Sequence, residues 1–127
     1  MDLRAKAIDI RKDIVNLIYH AGTGHIGGDL SVTDILVDLY YKQMNVGPDK
    51  VQDPERDRFV LSKGHCVEAL YTILADKGFF PKEELQTYSQ YLSKFIGHPN
   101  NKIAGVEVNS GSLGHGLAVG VGMALAA

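Results

Sequence analysis

Residues 58–65 read RFVLSKGH, and this segment decides the fold class that the sequence predicts. Residues 58–62 are rich in strand-forming side chains and bounded by turn residues, which is typical of a buried β-strand. Gly64 and His65 then open an apolar helix. A strand that passes through a glycine turn into a helix indicates an α/β domain, so we predict a helix-rich α/β fold with about two strands. The second strand is expected at Val106–Val108.

The helical periodicity extends to both sides of this segment. Apolar residues recur at spacings of three and four from Leu3 to Ala21, and Gly22 is a natural stop. A second helix is expected after an N-cap at Ser31, and another from Pro81. A helix rich in small residues follows Gly116. The helix from Pro81 is expected to bury Leu85, Tyr88, Leu92 and Phe95.

Composition narrows the possible classes of protein. The length of 127 residues predicts one domain, and a net charge of −2 offers no basic surface for nucleic acid or acidic membranes. The longest apolar run, Gly116–Ala127, is too short to cross a bilayer. The single cysteine, Cys66, cannot form an internal disulfide, which favours the cytoplasm.

Glycine and histidine occur together unusually often. Of the 14 glycines, 11 lie at 22–28, at 64 and at 105–122. Four of the five histidines lie in these or similar loops: His25, His65, His98 and His115. One such pair alone more often has a structural role, but four of them indicate a ligand site with titratable rings beside bare backbone. Zinc is a rival ligand, although the long, irregular gaps between the histidines do not match metal-ligand spacing.

Two of these loops allow more specific interpretations. His65 stands where a helix begins, a position that favours an anion such as phosphate, unless Gly64 merely turns the chain. The bare segment 111–114 could expose its backbone to a flat ligand, or it could simply be a tight turn. Pattern alone therefore predicts a histidine-lined, glycine-walled site without naming a reaction.

The whole chain resembles the N-terminal, diphosphate-binding domain of transketolase. The resemblance lies in four segments, GTGHIGG (22–28), RFVLSKGH (58–65), GHP (97–99) and GVEVNSGSLGHG (105–116), and in their order and spacing. It implies that residues 1–127 are a partial thiamine-diphosphate-binding domain, incomplete at the C-terminus because the family's Gly-Asp-Gly metal motif is missing. The form is closest to the short, separately encoded N-terminal subunits of bacteria.

The resemblance also implies an activity and its partners. The complete enzyme is expected to transfer a two-carbon ketol unit from a ketose phosphate to an aldose phosphate, as in the pentose phosphate pathway of the cytoplasm. The expected cofactors are thiamine diphosphate and Mg²⁺ or Ca²⁺, and the metal ligands lie outside this chain. The expected partner is a C-terminal transketolase subunit or domain, within a homo- or hetero-oligomer.

Six site residues follow from the resemblance. His25 and His98 are expected near the reacting carbons of the sugar, as hydrogen-bond and proton-transfer partners. His65 is expected at the cofactor diphosphate, and the backbones of Gly111 and Leu113 at the aminopyrimidine ring. His115, where the family commonly has glutamine, is given a supporting role in cofactor binding.

Two alternatives stay open at this point. One is another thiamine-diphosphate enzyme that acts on ketoses, such as a deoxyxylulose-phosphate synthase. The other is a non-catalytic, truncated protein that binds partners through the exposed small-residue face of its last helix. As part of a transketolase, the isolated 127-residue chain is expected to be inactive until it is completed and paired.

Overall fold

The computed structural model describes every residue from Met1 to Ala127, and all of its regular structure is helical. The framework consists of four α-helices: α1 (Leu3–Ala21), α2 (Ile26–Asp38), α3 (Val67–Asp76) and α4 (His115–Ala126). A π-helical turn, Leu39–Gln43, continues α2, and 3-10 turns span Pro48–Lys50, Gly64–Cys66 and Lys82–Thr87. None of these helices combines the length and the apolar character needed to cross a membrane.

Helix α1 has the boundaries and the buried face that its sequence predicts. Asp2 caps its start, because the carboxylate accepts the backbone N–H of Arg4 at 2.9 Å. Gly22 ends the helix in the left-handed conformation, with φ at 67°, and its N–H donates to the carbonyl of Ile18. The residues of α1 that are buried are Ala7, Ile10 and Ile14.

Helix α3 forms the centre of the core. Every residue from Val67 to Ala75 is buried, and both α1 and α2 pack against this helix. The sequence predicts an apolar helix here, and the structure encloses α3 on all sides. Any polar side chain in this stretch must therefore find its hydrogen-bond partners inside the protein. Glu68 is such a residue, and its side chain is fully buried.

The prediction of an α/β class with about two strands is wrong, because neither 58–62 nor 106–108 forms a strand. A strand needs a neighbour that pairs with its backbone groups. No backbone-to-backbone hydrogen bond involves residues 58–62. Residues 58–62 instead contact the chain just beyond the second segment through a side chain: Ser110 Oγ donates to the carbonyl of Leu61 at 2.6 Å. Only Leu61 of residues 58–62 is buried, so the segment is neither the paired nor the buried strand that its composition predicts.

The helix predicted from Pro81 is also shorter than expected. It is a 3-10 turn that ends at Thr87, and the chain then bends at Ser89 and Leu92, which both have positive φ. The N–H of Ser89 donates to the carbonyl of Phe95 and closes a loop in place of a further helical turn. Phe95 is buried as predicted, but Leu92 is 87% exposed.

Helix α2 begins earlier than predicted. It begins at Ile26, and Ser31 lies inside it with its hydroxyl donating to the carbonyl of Gly28. Gly28 allows this early start, because a Cβ there would lie 2.5 Å from Sγ of Cys66. The first turn of α2 therefore packs tightly against the turn that leads into α3, and it brings the glycine-rich loop next to His65.

Candidate functional site

Three of the predicted site histidines lie together. The ring centroids of His25 and His65 are 5.5 Å apart, and those of His25 and His98 are 6.0 Å apart. The side chain of His25 is 45% exposed, so the cluster lies on an open face of the protein. We call these three rings the imidazole cluster. His25 and His98 are 73 positions apart in the sequence, so the fold brings these distant residues together.

Each ring of the imidazole cluster is held by a different element. His25 is the N-cap residue of α2, and its carbonyl accepts the N–H of Asp29 at 3.2 Å. His65 lies in the 3-10 turn that runs into α3. His98 lies in a loop that Tyr71 of α3 holds in place, since its hydroxyl donates to the carbonyl of His98 at 2.9 Å. Helices α2 and α3 thus position all three rings.

Bare backbone borders the imidazole cluster on two sides. A Cβ on Gly28 would lie 3.5 Å from Nε2 of His65, and a Cβ on Gly111 would lie 3.4 Å from Cδ2 of His98. A Cβ at either position would be in van der Waals contact with an imidazole ring and would cover part of it. The absence of side chains therefore leaves the ring faces accessible to a ligand.

The other predicted cofactor residues follow Gly111 along the chain. Leu113 is 69% exposed, Gly114 has a φ of 86°, and His115 is the exposed first residue of α4. The rings of His25, His65 and His98 form pairs among themselves, and His115 takes part in none of these pairs. The structure therefore brings His65 and Gly111 to the cluster, and it places Leu113 and His115 on the exposed turn beyond it.

Glu68 is a buried carboxylate that holds the backbone of the imidazole cluster, and it was not identified from the sequence. Glu68 is fully buried in the first turn of α3. Its Oε1 accepts the backbone N–H of His25 at 3.1 Å and the hydroxyl of Tyr88 at 2.6 Å. The same oxygen lies 3.6 Å from Nδ1 of His25, within range of an ion pair but longer than a hydrogen bond.

Asp29 is the second residue that sequence reasoning missed. It is fully buried in α2, and its Oδ1 accepts the N–H of Ala69 at 3.0 Å. Burial and the neighbouring charge of Glu68 raise the pKa of Asp29 to about 7. The sequence offers no distinct signal for either residue, because α2 also carries the exposed Asp34 and the burial of an acid depends on how the helices pack.

The loop before α2 approaches Glu68 as closely as a backbone can. A Cβ on Gly24 would lie 2.9 Å from Oε1 of Glu68 and 2.6 Å from Cγ1 of Ile18. Only glycine fits at this position, and its absence of a side chain is what brings the N–H of His25 to the carboxylate. Gly24 therefore has a packing role within the GTGHIGG segment.

A separate cavity of about 510 Å³ lies between α1, α3 and the 3-10 turn at Lys82–Thr87. His20 is among the residues that line it, whereas the imidazole cluster is not. No group of three or more His, Cys, Asp or Glu side chains is arranged to hold a metal ion.

The fold and the site together define a helical domain that presents a histidine-lined, glycine-bordered ligand face. The chain belongs to the transketolase family, since the family described as "Transketolase, thiamine diphosphate binding domain" matches residues 3–127. This match covers all four glycine- and histidine-rich segments, and it confirms the resemblance that they indicate.

Two curated relatives illustrate the likeness. The chain is 55% identical over 117 residues to an apulose-4-phosphate transketolase subunit of Phocaeicola vulgatus, a match that covers 92% of this chain and 42% of the relative. It is 43% identical over 127 residues to the 6-deoxy-6-sulfo-D-fructose transketolase subunit SqwG of a Clostridium species, covering 99% of this chain and 46% of that protein. The chain therefore spans less than half the length of these relatives.

A solved structure extends the likeness to the backbone. The transketolase from Leishmania mexicana superimposes with a TM-score of 0.93 at 30% sequence identity, over 99% of this chain and 19% of that one. The arrangement of helices found here thus matches that of a transketolase over almost the whole chain, even though the chain forms no strand of its own.

Proposed function

We propose that this chain supplies the diphosphate side of a transketolase, which transfers a two-carbon ketol unit from a ketose phosphate to an aldose phosphate. The observation that carries the proposal is the imidazole cluster of His25, His65 and His98 beside bare backbone, in a member of the transketolase family. Hydroxyl, carbonyl and phosphate groups are the ligands that several adjacent imidazoles and free backbone amides suit.

The residues around His65 fit a diphosphate. The backbone N–H groups of Gly64 and His65 donate to no acceptor within the protein, and they stand where the chain enters α3. Free amides at the start of a helix attract anions, and the imidazole of His65 adds a further donor. On the ring side, the backbone at Gly111 suits close contact with a flat heterocycle, and Leu113 and His115 would extend that contact.

Thiamine diphosphate, when bound, supplies the carbanion chemistry that cleaves and forms the bond between the sugar carbons. The chain's own residues bind the sugar and handle its protons. Nδ1 of His25 faces Glu68, so Nε2 is the nitrogen available to accept a proton from a sugar hydroxyl. His98, 6.0 Å away between ring centroids, would hold a neighbouring hydroxyl or the carbonyl oxygen.

The rest of the proposal concerns what the chain works with. Because two relatives are named as transketolase subunits, we propose that a C-terminal transketolase subunit or domain completes the enzyme. The residues that bind Mg²⁺ or Ca²⁺ would come from outside the chain. A cytoplasmic location is part of the proposal, supported by a single cysteine that is buried and unpaired.

The first test is calorimetry on the 127-residue chain with thiamine diphosphate and magnesium. We expect weak binding and no turnover, because the metal would be the largest positive charge beside the diphosphate. Micromolar binding by this chain alone would contradict that expectation. It would mean that His65 and the helix-end amides suffice without the cation.

The second test is a ketol-transfer assay on the chain completed to the length of its relatives and paired with a C-terminal subunit. A panel of ketose donors would identify the one that this enzyme uses. The panel includes apulose 4-phosphate and 6-deoxy-6-sulfofructose, because two relatives are named as transketolase subunits for these sugars. Transfer to an aldose phosphate supports the proposal. A completed, paired and folded enzyme that transfers nothing would favour the non-catalytic binding protein instead.

A further inference from the structure

Two buried carboxyl groups lie side by side beneath the imidazole cluster, and neither has enough hydrogen-bond donors. Asp29 and Glu68 are both 0% exposed. Oδ2 of Asp29 and Oε2 of Glu68 each lack a hydrogen-bond partner, and no lysine or arginine forms an ion pair with either residue. Unpartnered carboxylate oxygens inside a protein are strongly unfavourable, and two adjacent negative charges would be more so.

We propose that Asp29 and Glu68 share one proton and act as a positioning pair for His25, an inference that rests on the proposed function of this site. The proton lies on Asp29 and is donated toward Glu68, whose negative charge adds to burial in raising the pKa of Asp29. One proton then satisfies both unpartnered oxygens. The pair carries a single negative charge, which is located on Glu68.

The surroundings of the two carboxyls explain why the proton is on Asp29. Glu68 accepts hydrogen bonds from Tyr88 and from the backbone of His25, which stabilise its charged form. Asp29 accepts one, from the N–H of Ala69. Desolvation and the charge of Glu68 outweigh that bond and hold the pKa of Asp29 at about 7, far above its ordinary value of 3.8.

The negative charge on Glu68 determines which ring nitrogen of His25 carries the proton. Oε1 of Glu68 lies 3.6 Å from Nδ1, so the neutral ring keeps its proton on Nδ1 and presents the lone pair of Nε2 to the open face. The hydrogen bond from the backbone N–H of His25 to the same oxygen keeps the ring at this distance from the carboxylate. When the pH rises through about 7, Asp29 ionises and a second negative charge develops behind the ring.

No lysine or arginine forms an ion pair with either carboxyl, and the His25 ring is the only basic group within ion-pair range of Glu68. Lys63 is the only cation that affects the pKa of Asp29, and its effect is the smallest of those that act on this carboxyl. Its amine lies 3.4 Å from Oγ of Ser31, on the exposed side. The titratable groups that face the pair are His25, Lys63, Cys66, Tyr71 and Tyr88.

Infrared spectroscopy on the 127-residue chain tests the shared proton without any substitution. At about pH 6 we expect the carbonyl band of a protonated carboxyl, which disappears as the pH is raised through about 7. Asp29→Asn should lack this band at every pH above 5. Asp34→Asn is the matched control, because Asp34 lies on the same helix but is exposed and paired with Arg11, and it should keep the band. A wild-type spectrum without a protonated carboxyl at pH 6 would overturn the proposal.

The ring ¹⁵N shifts of His25 test the positioning role. The neutral ring should carry its proton on Nδ1 in the wild type and in Asp29→Asn, whereas Glu68→Gln should shift the tautomer ratio toward Nε2. An unchanged ratio in Glu68→Gln would remove the pair's role in positioning. Neither spectrum involves cofactor or sugar, so a failure of ketol transfer counts against the proposed function alone, and a failure of these spectra counts against the pair alone.

Discussion

Tyr88 and Glu68 are joined by a 2.6 Å hydrogen bond from the phenolic hydroxyl to Oε1 of the carboxylate. The same oxygen accepts the N–H of His25, so one atom connects the loop before α2, the first turn of α3 and the residue that follows the 3-10 turn at Lys82–Thr87. The polar support of the imidazole cluster is therefore continuous with the packing of the core.

Replacing Tyr88 with Phe should destabilise the fold, because Glu68 loses a donor inside a buried site. Hydrogen bonds to charged groups contribute about 1.5–3 kcal/mol, and we expect a loss of that size in the free energy of unfolding, measured in urea. Tyr91→Phe is the control, since Tyr91 is 93% exposed and should change nothing. Equal urea midpoints for the two variants would show that the bond adds no stability.

Two glycines on α4 should respond in opposite ways to the same substitution. A Cβ on Gly116 would lie 2.7 Å from the backbone Cα of Ser62, so Gly116→Ala should separate α4 from residues 58–62 and cost about 1–3 kcal/mol. Gly120 has no atom within 4 Å of a Cβ position, so Gly120→Ala should stabilise the helix by up to about 1 kcal/mol. Thermal unfolding of both variants distinguishes them; a rise in Tm for Gly116→Ala would contradict the close contact.

Local patterns predicted the parts of this fold that depend on neighbours in sequence. The apolar spacing of α1 and its stop at Gly22 are confirmed, because a helix and its caps are set by residues a few positions apart. The strand at 58–62 was predicted wrongly, since pairing depends on a distant segment that composition does not reveal. The helix from Pro81 is shorter than predicted for a similar reason. Tyr88 donates a hydrogen bond to the distant Glu68, and the chain then folds back so that Ser89 bonds to Phe95.

The candidate site was predicted in part. Glycine beside histidine singled out His25, His65 and His98, and the structure places these rings together. The pattern of glycine beside histidine does not single out Asp29 or Glu68. Their proximity depends on how α2 and α3 pack, and in the sequence a buried acid in a helix looks like any exposed one. The roles of all five residues stay predictions for the experiments.

Replacing His98 with Ala in the completed, paired enzyme should lower kcat/KM for ketol transfer by roughly a hundredfold or more, the usual effect of losing a positioned proton-transfer group. His20→Ala is the matched control, because His20 lies on α1 beside a separate cavity. Steady-state kinetics with one ketose donor and one aldose acceptor gives both values. A His98→Ala enzyme as active as His20→Ala would exclude His98 from the reaction.

Asp76 should make stability depend on pH in the acid range. Burial alone would raise its pKa, but hydrogen bonds from Tyr41, Lys6 and Lys82 outweigh this and lower the pKa to about 2. The folded state therefore binds this proton less readily than the unfolded chain, whose aspartate titrates near 3.8. The stabilisation is present above about pH 4 and is lost as the pH falls toward 2. At about 1.4 kcal/mol per pKa unit, it amounts to roughly 2–3 kcal/mol.

Asp76→Asn should accordingly lower the free energy of unfolding at pH 7 by roughly 2–3 kcal/mol, and its difference from the wild type should shrink between pH 4 and pH 2. Urea unfolding at a series of pH values measures both quantities. Asp34→Asn again serves as the control, because its carboxylate is exposed and its ion pair with Arg11 is largely solvated, so we expect a smaller loss. If the loss in Asp76→Asn were the same at pH 3 as at pH 7, it would come from altered packing, and the charge of Asp76 would have no part in stability.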